Sequence, residues 1–237
     1  MPATSPPCTV WWAAPVDPAE RPGLLDLLDE HERERFLRFH RAADRARYLA
    51  AHALVRLVLG DLLGSPPAAL ELDRTCRCGQ QHGKPRLLGV GAPGFSLTHA
   101  GALVGVAVRP DDAVGLDVEH VRELTDLAGM ARHVQSPAEL ARRCGSADAP
   151  AFFTAWTRKE ALLKATGDGL STPMSTITLS PTGAAVQTWI GEGAPDGPVW
   201  LRDLRPAPGY AAAVAGPGAI APVVLEADGN VVLRAGA

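Results

Sequence analysis

FFTAWTRKEALLKATGDGL, from Phe152 to Leu170, forms the helix around which we predict that the fold is built. Trp156, Glu160 and Lys164 follow one another at intervals of four residues, so in a helix their side chains share one face. The closing letters GDGL bring two glycines that end the helix. A carboxylate and a cation before a glycine-rich turn could serve a metal and a phosphate together. Taken alone, the helix favours a simpler alternative, a surface helix with a Glu–Lys pair and a buried tryptophan.

Composition and charge exclude several classes of protein. The 237 residues are 46% hydrophobic and 21% charged, ordinary values for a globular chain of one large or two small domains. The net charge of −3 supplies no basic field for nucleic acid. We see no apolar run of membrane length and no signal peptide, so we expect no membrane partner. Four cysteines do not make a disulfide framework in a chain of this length, and we therefore predict a cytoplasmic location.

A predicted strand, VGLDVEH, carries two acidic residues. Asp117 and Glu119 lie two residues apart, so both carboxylates project from one face, while Leu116 and Val118 face a core. Two like charges side by side repel each other unless a cation lies between them. Oxygen ligands of this kind suit Mg²⁺, which binds through a few carboxylates together with phosphate oxygens. The alternative is a solvent-facing edge strand, and the motif alone leaves both possibilities open.

The rest of the chain predicts a mixture of helices and strands. A strand covers residues 8–13, and a helix runs from residue 22 through DEHERERFLRFHR. A long helix begins at Ala42, keeps apolar residues at a period of 3.6, and stops at Gly64. FSLTHAGALVGVAV predicts two strands around a turn at Gly101. After the Phe152–Leu170 helix, short strands are predicted at residues 175–179, 185–190, 198–204, 210–215 and 223–225.

Two charged residues of these elements have an ordinary and a functional interpretation. Ser136 and Glu139 match a capping box, SPAE, at a predicted helix start. Arg47, near the start of the long helix, is most simply solvated, although an arginine there beside an anion site would be a phosphate ligand.

The segment TCRCGQQHGKPR raises the possibility of zinc. Cys76, Cys78 and His82 are potential ligands, but the CxxC spacing is missing and a structural zinc site needs four ligands. Cys144 is far away in sequence. These features argue against a zinc site.

A weak internal similarity indicates two related halves. THAGALVGVAV and APGYAAAVAG each run from a turn into a strand of small residues. We therefore predict an α+β fold of two similar lobes related by a pseudo-twofold axis, with one lobe at residues 1–111 and the other at 112–237. The acidic strand would then lie at the junction, where ligand sites are common.

Together these motifs resemble the signature of Sfp-type 4′-phosphopantetheinyl transferases. That family has a G-x-D-x-E strand followed by a W-x-x-K-E-A-x-x-K helix. The matching residues are Gly115, Asp117, Glu119, Trp156, Lys159, Glu160, Ala161 and Lys164. GKP at residues 83–85, a strand ending in Thr98–His99 and an arginine at the start of the long helix agree as well. The resemblance covers residues 33–215 in family order, and the joint match is far more specific than any one motif.

The resemblance implies an enzyme that binds coenzyme A between two lobes. It would transfer the 4′-phosphopantetheine arm to a serine of an apo acyl or peptidyl carrier protein and release 3′,5′-ADP. The length of the chain favours the monomeric class, which usually serves polyketide and nonribosomal peptide synthases. Two alternatives of other kinds remain: a catalytically silent module that binds coenzyme A or a carrier protein, and another Mg²⁺-dependent phosphotransferase. The intact acidic and basic motif residues argue against the first, and the lack of a P-loop against the second.

The resemblance also implies roles for the reacting groups. Asp117, Glu119 and Glu160 would bind Mg²⁺, and Lys164 would stabilise or protonate the departing phosphate. The serine proton would go to Glu160 or to a metal-bound water. Glu139 matches an acidic residue with a catalytic or metal-neighbouring role.

Further residues are implied as contacts to coenzyme A. Lys159 would contact the pyrophosphate or be a structural member of the motif. Arg47 and Lys84 match residues at the nucleotide end, and His99 matches a ligand of the 3′-phosphate. Thr98 stands where the family often has serine, and it keeps the hydroxyl for a phosphate. Lysines that some members carry before the long helix are not matched here, and the substitutes would be among Arg33, Arg35 and Arg38.

Overall fold

The computed structural model describes residues 6–76, 79–81, 83–142, 148–167, 172–181 and 183–236, which form an α+β fold. Its helices are α1 (Gly23–Asp26), α2 (Glu30–Leu37), α3 (Ala42–Leu63), α4 (Leu127–Val134), α5 (Pro137–Ala141), α6 (Ala149–Thr166) and α7 (Gly229–Ala235). Its strands are β1 (Cys8–Ala13), β2 (Leu72–Asp73), β3 (Arg86–Leu87), β4 (Gly94–Ala100), β5 (Leu103–Arg109), β6 (Gly115–His120), β7 (Ile177–Leu179), β8 (Val186–Trp189), β9 (Val199–Leu204), β10 (Tyr210–Pro217) and β11 (Val224–Asp228).

The first main sheet has the strand order β11-β1-β5-β4 and carries α3 on one face. The helix buries Leu49, Leu54 and Leu59 against Val104 and Val106 of β5. Each such side chain contributes about 1.5–3 kcal/mol when it is removed from water. The helix ends at Gly64, whose φ of 61° is left-handed and therefore suits glycine. The sequence-based prediction of this helix is confirmed.

The second main sheet has the order β6-β10-β9, and α6 packs against it. Gly115, the first residue of β6, permits the close approach of helix and strand. A Cβ atom there would lie 1.9 Å from the carbonyl oxygen of Ala161 and 2.5 Å from the nitrogen of Ala165. Glycine is therefore required at the start of the acidic strand, since any side chain would push α6 away from it.

Side-chain hydroxyls join the two sheets where β4 runs beside β6. Ser96 Oγ accepts a hydrogen bond from the amide of Leu116 at 3.0 Å, and Thr98 Oγ1 accepts one from the amide of Val118 at 3.1 Å. A core of apolar side chains, including Val10, Leu116 and Trp200, fills the space between the sheets. The acidic strand is thus fixed by the first sheet as well as by its own.

Most predicted elements are confirmed, with one correction. The helix predicted from residue 22 through DEHERERFLRFHR is broken into α1 and α2, because Asp29 caps α2 with its side chain. The acidic strand is not a solvent-facing edge, since Asp117 is only 6% exposed. β11 extends beyond the strand predicted at residues 223–225, and α7 follows it. Within the described residues, no helix is long and apolar enough to span a bilayer.

The C-terminal strand and helix return to the first sheet. β11 pairs in parallel with β1, and Glu226 accepts a hydrogen bond from the Trp12 indole at 2.8 Å. Leu233 of α7 is buried in the core beneath α3. The division at residues 111 and 112 and the pseudo-twofold relation of the lobes stay predictions. The structure adds that β11 and α7, from the second half of the sequence, pack on the sheet formed by the first half. Gly169 of the helix stop and the potential zinc ligands Cys78, His82 and Cys144 lie outside the described residues.

Candidate active site

Asp117 of β6 lies at the centre of the candidate site, where its side chain contacts the last turn of α6. Its Oδ1 accepts hydrogen bonds from Lys164 Nζ at 2.7 Å and Thr98 Oγ1 at 3.2 Å. Its Oδ2 is buried without a hydrogen-bond partner among the described residues. Burial raises the pKa of Asp117, and the charge of Lys164 opposes that shift. A buried carboxylate oxygen without a donor is costly, and a cation would remove that cost.

Glu160 and Glu119 share the electrostatic environment of Asp117. Burial, followed by the negative charge of Asp117, raises the pKa of Glu160 to about 7. The same two causes raise the pKa of Glu119, whose carboxylate is partly paired with Arg122 at 3.3 Å. Mutual repulsion of this kind shows that α6 and β6 bring the predicted carboxylates close together.

These carboxylates fit Mg²⁺ by their chemistry. Three carboxylates offer the hard oxygen donors that Mg²⁺ prefers, and the buried Oδ2 of Asp117 lacks a donor of its own. Their present positions do not make a closed ligand set: among the described residues, no three His, Cys, Asp or Glu side chains are arranged to hold a metal ion. The Mg²⁺ assignment therefore stays a prediction.

Two lysines place ammonium groups beside the carboxylates. Lys164 is a quarter exposed and donates to the carbonyl oxygen of Leu116 at 2.9 Å as well as to Asp117. Lys84 donates to the carbonyl oxygens of Val114, at 2.7 Å, and of Lys164, at 2.9 Å. Burial and then the charge of Lys164 lower the pKa of Lys84 to about 8. Lys84 thereby ties its loop to the C-terminal end of α6.

His99 and Arg47 add two further basic groups near Lys164. His99 is exposed near the end of β4, and its pKa is lowered first because surrounding atoms limit the hydration of the ring. The positive charges of Arg47 and Lys164 lower it further. Arg47 donates to the carbonyl oxygen of Gly101 at 2.9 Å. Thr98, in contrast, is buried, and its hydroxyl is already shared between Asp117 and β6.

Lys159 and Glu139 form a separate buried pair. Lys159 is 0% exposed, and its Nζ donates to Glu139 Oε2 at 2.5 Å and to the carbonyl oxygen of Val134 at 2.7 Å. Glu139 also accepts from the amides of Ser136 and Leu179. Of the two roles that the resemblance implies for Lys159, these contacts support the structural one, because the ammonium is buried and already paired. The capping box of Glu139 is confirmed, and nothing in the geometry supports a catalytic role for this carboxylate.

A cavity of about 300 Å³ lies beside α2, and two of the three N-terminal arginines named from the sequence line it. Its walls include His31, Glu34, Arg35, Arg38, Phe39 and Gln81. Arg33 instead donates to the carbonyl oxygens of Leu25 and Asp26. His31 and Gln81 of the cavity wall are not among the residues that the sequence motifs singled out. Gln81 lies three residues before Lys84, so its place in the GQQHGKP turn was the available signal.

Comparisons with known proteins show the family of the chain. Residues 113–215, which include the acidic strand and α6, match the model of the ACPS 4′-phosphopantetheinyl transferase superfamily. The 4′-phosphopantetheinyl transferase HetI of Nostoc sp. is 34% identical over 217 residues, covering 86% of this chain and 85% of HetI. A phosphopantetheinyl transferase of Thraustochytrium sp. is 32% identical over 66% of this chain and 58% of that protein. The 4′-phosphopantetheinyl transferase Sfp of Bacillus subtilis is 23% identical over 86% of this chain and 89% of Sfp. With its acidic strand, its lysine-bearing helix and these relatives, the chain belongs to the 4′-phosphopantetheinyl transferase superfamily.

Proposed function

We propose that the protein transfers the 4′-phosphopantetheine arm of coenzyme A to a serine of an apo carrier protein and releases 3′,5′-ADP. The observation that carries this proposal is Asp117, whose buried carboxylate contacts Lys164 and keeps one oxygen without a donor among the described residues. Relatives named 4′-phosphopantetheinyl transferase along most of the chain support the same reaction.

Asp117, Glu119 and Glu160 would hold the Mg²⁺ ion. When bound, the ion supplies positive charge at the pyrophosphate and makes the attacked phosphorus more electrophilic. The raised pKa values of Glu119 and Glu160 support this assignment, since carboxylates that repel one another are stabilised by a shared cation.

The protein's own groups would move the protons. The serine oxygen attacks the phosphorus that carries the pantetheine arm, and the bond from that phosphorus to the bridging oxygen breaks. Glu160 would accept the serine proton, either directly or through a water. Lys164 Nζ would donate to the departing phosphate, because it is a quarter exposed and already points into the carboxylate cluster. Glu139 is a weaker candidate for the base, since its oxygens are occupied.

Coenzyme A would bind along the basic surface that leads away from this cluster. The cavity lined by Arg35 and Arg38 has the charge to take a phosphate of the nucleotide end. His99 and Arg47 would extend that contact, and Lys84 would hold the loop in place between the cavity and α6.

The natural acceptors would be acyl or peptidyl carrier domains of polyketide or nonribosomal peptide synthases. We also propose a monomer that acts in the cytoplasm. The length of the chain and its use of cysteine support these assignments.

Intact-protein mass spectrometry tests the reaction. An apo carrier protein incubated with this protein, coenzyme A and Mg²⁺ should gain the mass of the phosphopantetheine arm, and EDTA should abolish the gain. Asp117→Ala should prevent the gain, whereas Asp203→Ala, at an exposed residue paired with Arg158, serves as a matched control. No gain on several carrier types, despite measurable binding of coenzyme A, would instead indicate a silent coenzyme A-binding module.

A further inference from the structure

We propose that Arg74 is a positioning residue for coenzyme A, since it locks the Lys84 loop onto the helix that lines the nucleotide cavity. This inference rests on the proposed function, because it assumes that coenzyme A occupies the cavity and the adjoining basic surface. Arg74 itself is only 7% exposed and does not line the cavity. It would act through its neighbours.

The anchor of Arg74 is a buried carboxylate on α2. Glu32 is 0% exposed, and its oxygens contact Arg74 Nη2 at 2.7 Å, Arg56 Nε at 2.7 Å and His52 Nδ1 at 2.9 Å. Arg74 Nη2 also reaches Asp29 Oδ2, at 2.8 Å. Because His52 and Arg56 belong to α3, Arg74 is bonded to a rigid pair of helices.

The same helix turns its other side toward the cavity. His31 and Arg35 of α2 line the cavity, while Glu32 and Phe36 between and beyond them are buried. A shift of Glu32 would therefore displace Arg35 as well, since both are carried by one short helix. The contacts of Glu32 with His52, Arg56 and Arg74 therefore hold α2, which carries part of the cavity wall, in place.

The main chain of Arg74 is bonded to the segment that carries Lys84. Its carbonyl oxygen accepts a hydrogen bond from the amide of Gly83 at 2.7 Å. A Cβ atom on Gly83 would lie 2.9 Å from that oxygen and 3.1 Å from the nitrogen of Cys76, so the two chain segments touch backbone to backbone. Gly83 immediately precedes Lys84, whose ammonium bonds to the last turn of α6. One residue thus connects the cavity wall, the Lys84 loop and the lysine-bearing helix.

The test measures coenzyme A binding and turnover in three variants. Arg74→Met removes the ionic anchor, Arg74→Lys keeps its charge, and Gly83→Ala forces the two backbone segments apart without touching the ion network. Isothermal titration should show about tenfold weaker coenzyme A binding for Arg74→Met and Gly83→Ala, with a smaller loss for Arg74→Lys. The KM for coenzyme A should rise by the same factor, while kcat at saturating coenzyme A and the KM for the carrier protein stay within about twofold.

Two substitutions control for general effects. Gly197→Ala places a Cβ atom where no atom lies within 4 Å, and Arg86→Met removes an exposed ion pair with Asp73 in the neighbouring hairpin. Both variants should match the parent protein in coenzyme A affinity and in turnover. Parental coenzyme A affinity in folded Gly83→Ala would overturn the proposal, as would a fall in kcat with an unchanged KM for coenzyme A. If Arg74→Met does not fold, the coenzyme A affinity of Gly83→Ala tests the proposal. A parent that binds coenzyme A but transfers nothing would overturn the proposed function alone.

Discussion

Replacing Lys159 with methionine should cost stability and leave the chemistry nearly intact. The lysine is 0% exposed and its ammonium is bonded to Glu139, which is itself only 12% exposed, and to the carbonyl oxygen of Val134. Methionine keeps the apolar stem but leaves a buried carboxylate without its cation. Removal of one partner from a buried ion pair costs about 3–5 kcal/mol. For a chain of this size that loss corresponds to a fall in Tm of roughly 10 °C.

Urea and thermal unfolding measure the loss of stability, and carrier modification at a temperature well below the Tm measures turnover. We expect kcat of Lys159→Met within about threefold of the parent. The double variant Lys159→Met/Glu139→Gln should be more stable than the sum of the single losses predicts, because a neutral amide needs no cation. Arg158→Met, one position earlier on α6, removes an exposed pair with Asp203 and should cost at most about 1 kcal/mol. A folded Lys159→Met protein with parental stability and more than about a hundredfold loss of kcat would refute this reasoning.

The remaining predictions concern four charged groups. Asp117→Ala should abolish turnover at every Mg²⁺ concentration because a metal ligand is lost, and near-parental turnover would contradict the metal assignment. Lys164→Ala should lower kcat more than coenzyme A affinity; a change in affinity alone would make this lysine a binding group. Glu160, with a pKa raised to about 7, must lose its proton to bind a cation, so the apparent Mg²⁺ affinity should rise with pH through about 7, and a flat pH profile would argue against its role as ligand. Burial alone would raise the pKa of Glu32, but His52 and Arg56 outweigh it and hold the pKa at about 2. The depressed value contributes stability above pH 4.5 that is lost as pH falls toward 2, so acid unfolding of Glu32→Gln should lack this component.

Local rules were enough to predict the elements that carry the site. Spacing of four residues placed Glu160 and Lys164 on one helical face, and spacing of two residues paired Asp117 with Glu119 on one strand. The structure brings these carboxylates together because Gly115 allows α6 to lie directly on β6. Family resemblance, rather than spacing, supplied their chemical roles.

Contacts between residues far apart in sequence could not be predicted from such spacing rules. The pairing of Lys159 with Glu139 spans twenty residues, and that of Arg74 with Glu32 spans forty-two. No periodicity signals either pair, because each depends on how separate helices and loops pack. The sequence therefore left Lys159 open between a pyrophosphate contact and a structural role, and its burial beside Glu139 supports the structural role. The break between α1 and α2 did have a local signal, because Asp29 and Glu32 form a capping box across three residues.

The parallel pairing of β1 with β11 has a consequence for how the protein is made. β1 is synthesised about 215 residues before its parallel partner β11, so the first sheet keeps one open edge until β11 has been made. That edge includes Trp11 and Trp12, so two aromatic residues lie on an unpaired strand edge until β11 pairs with β1. β11 and α7 therefore complete the sheet that supports the acidic strand, and a chain cut before Val224 would leave β1 unpaired along one side.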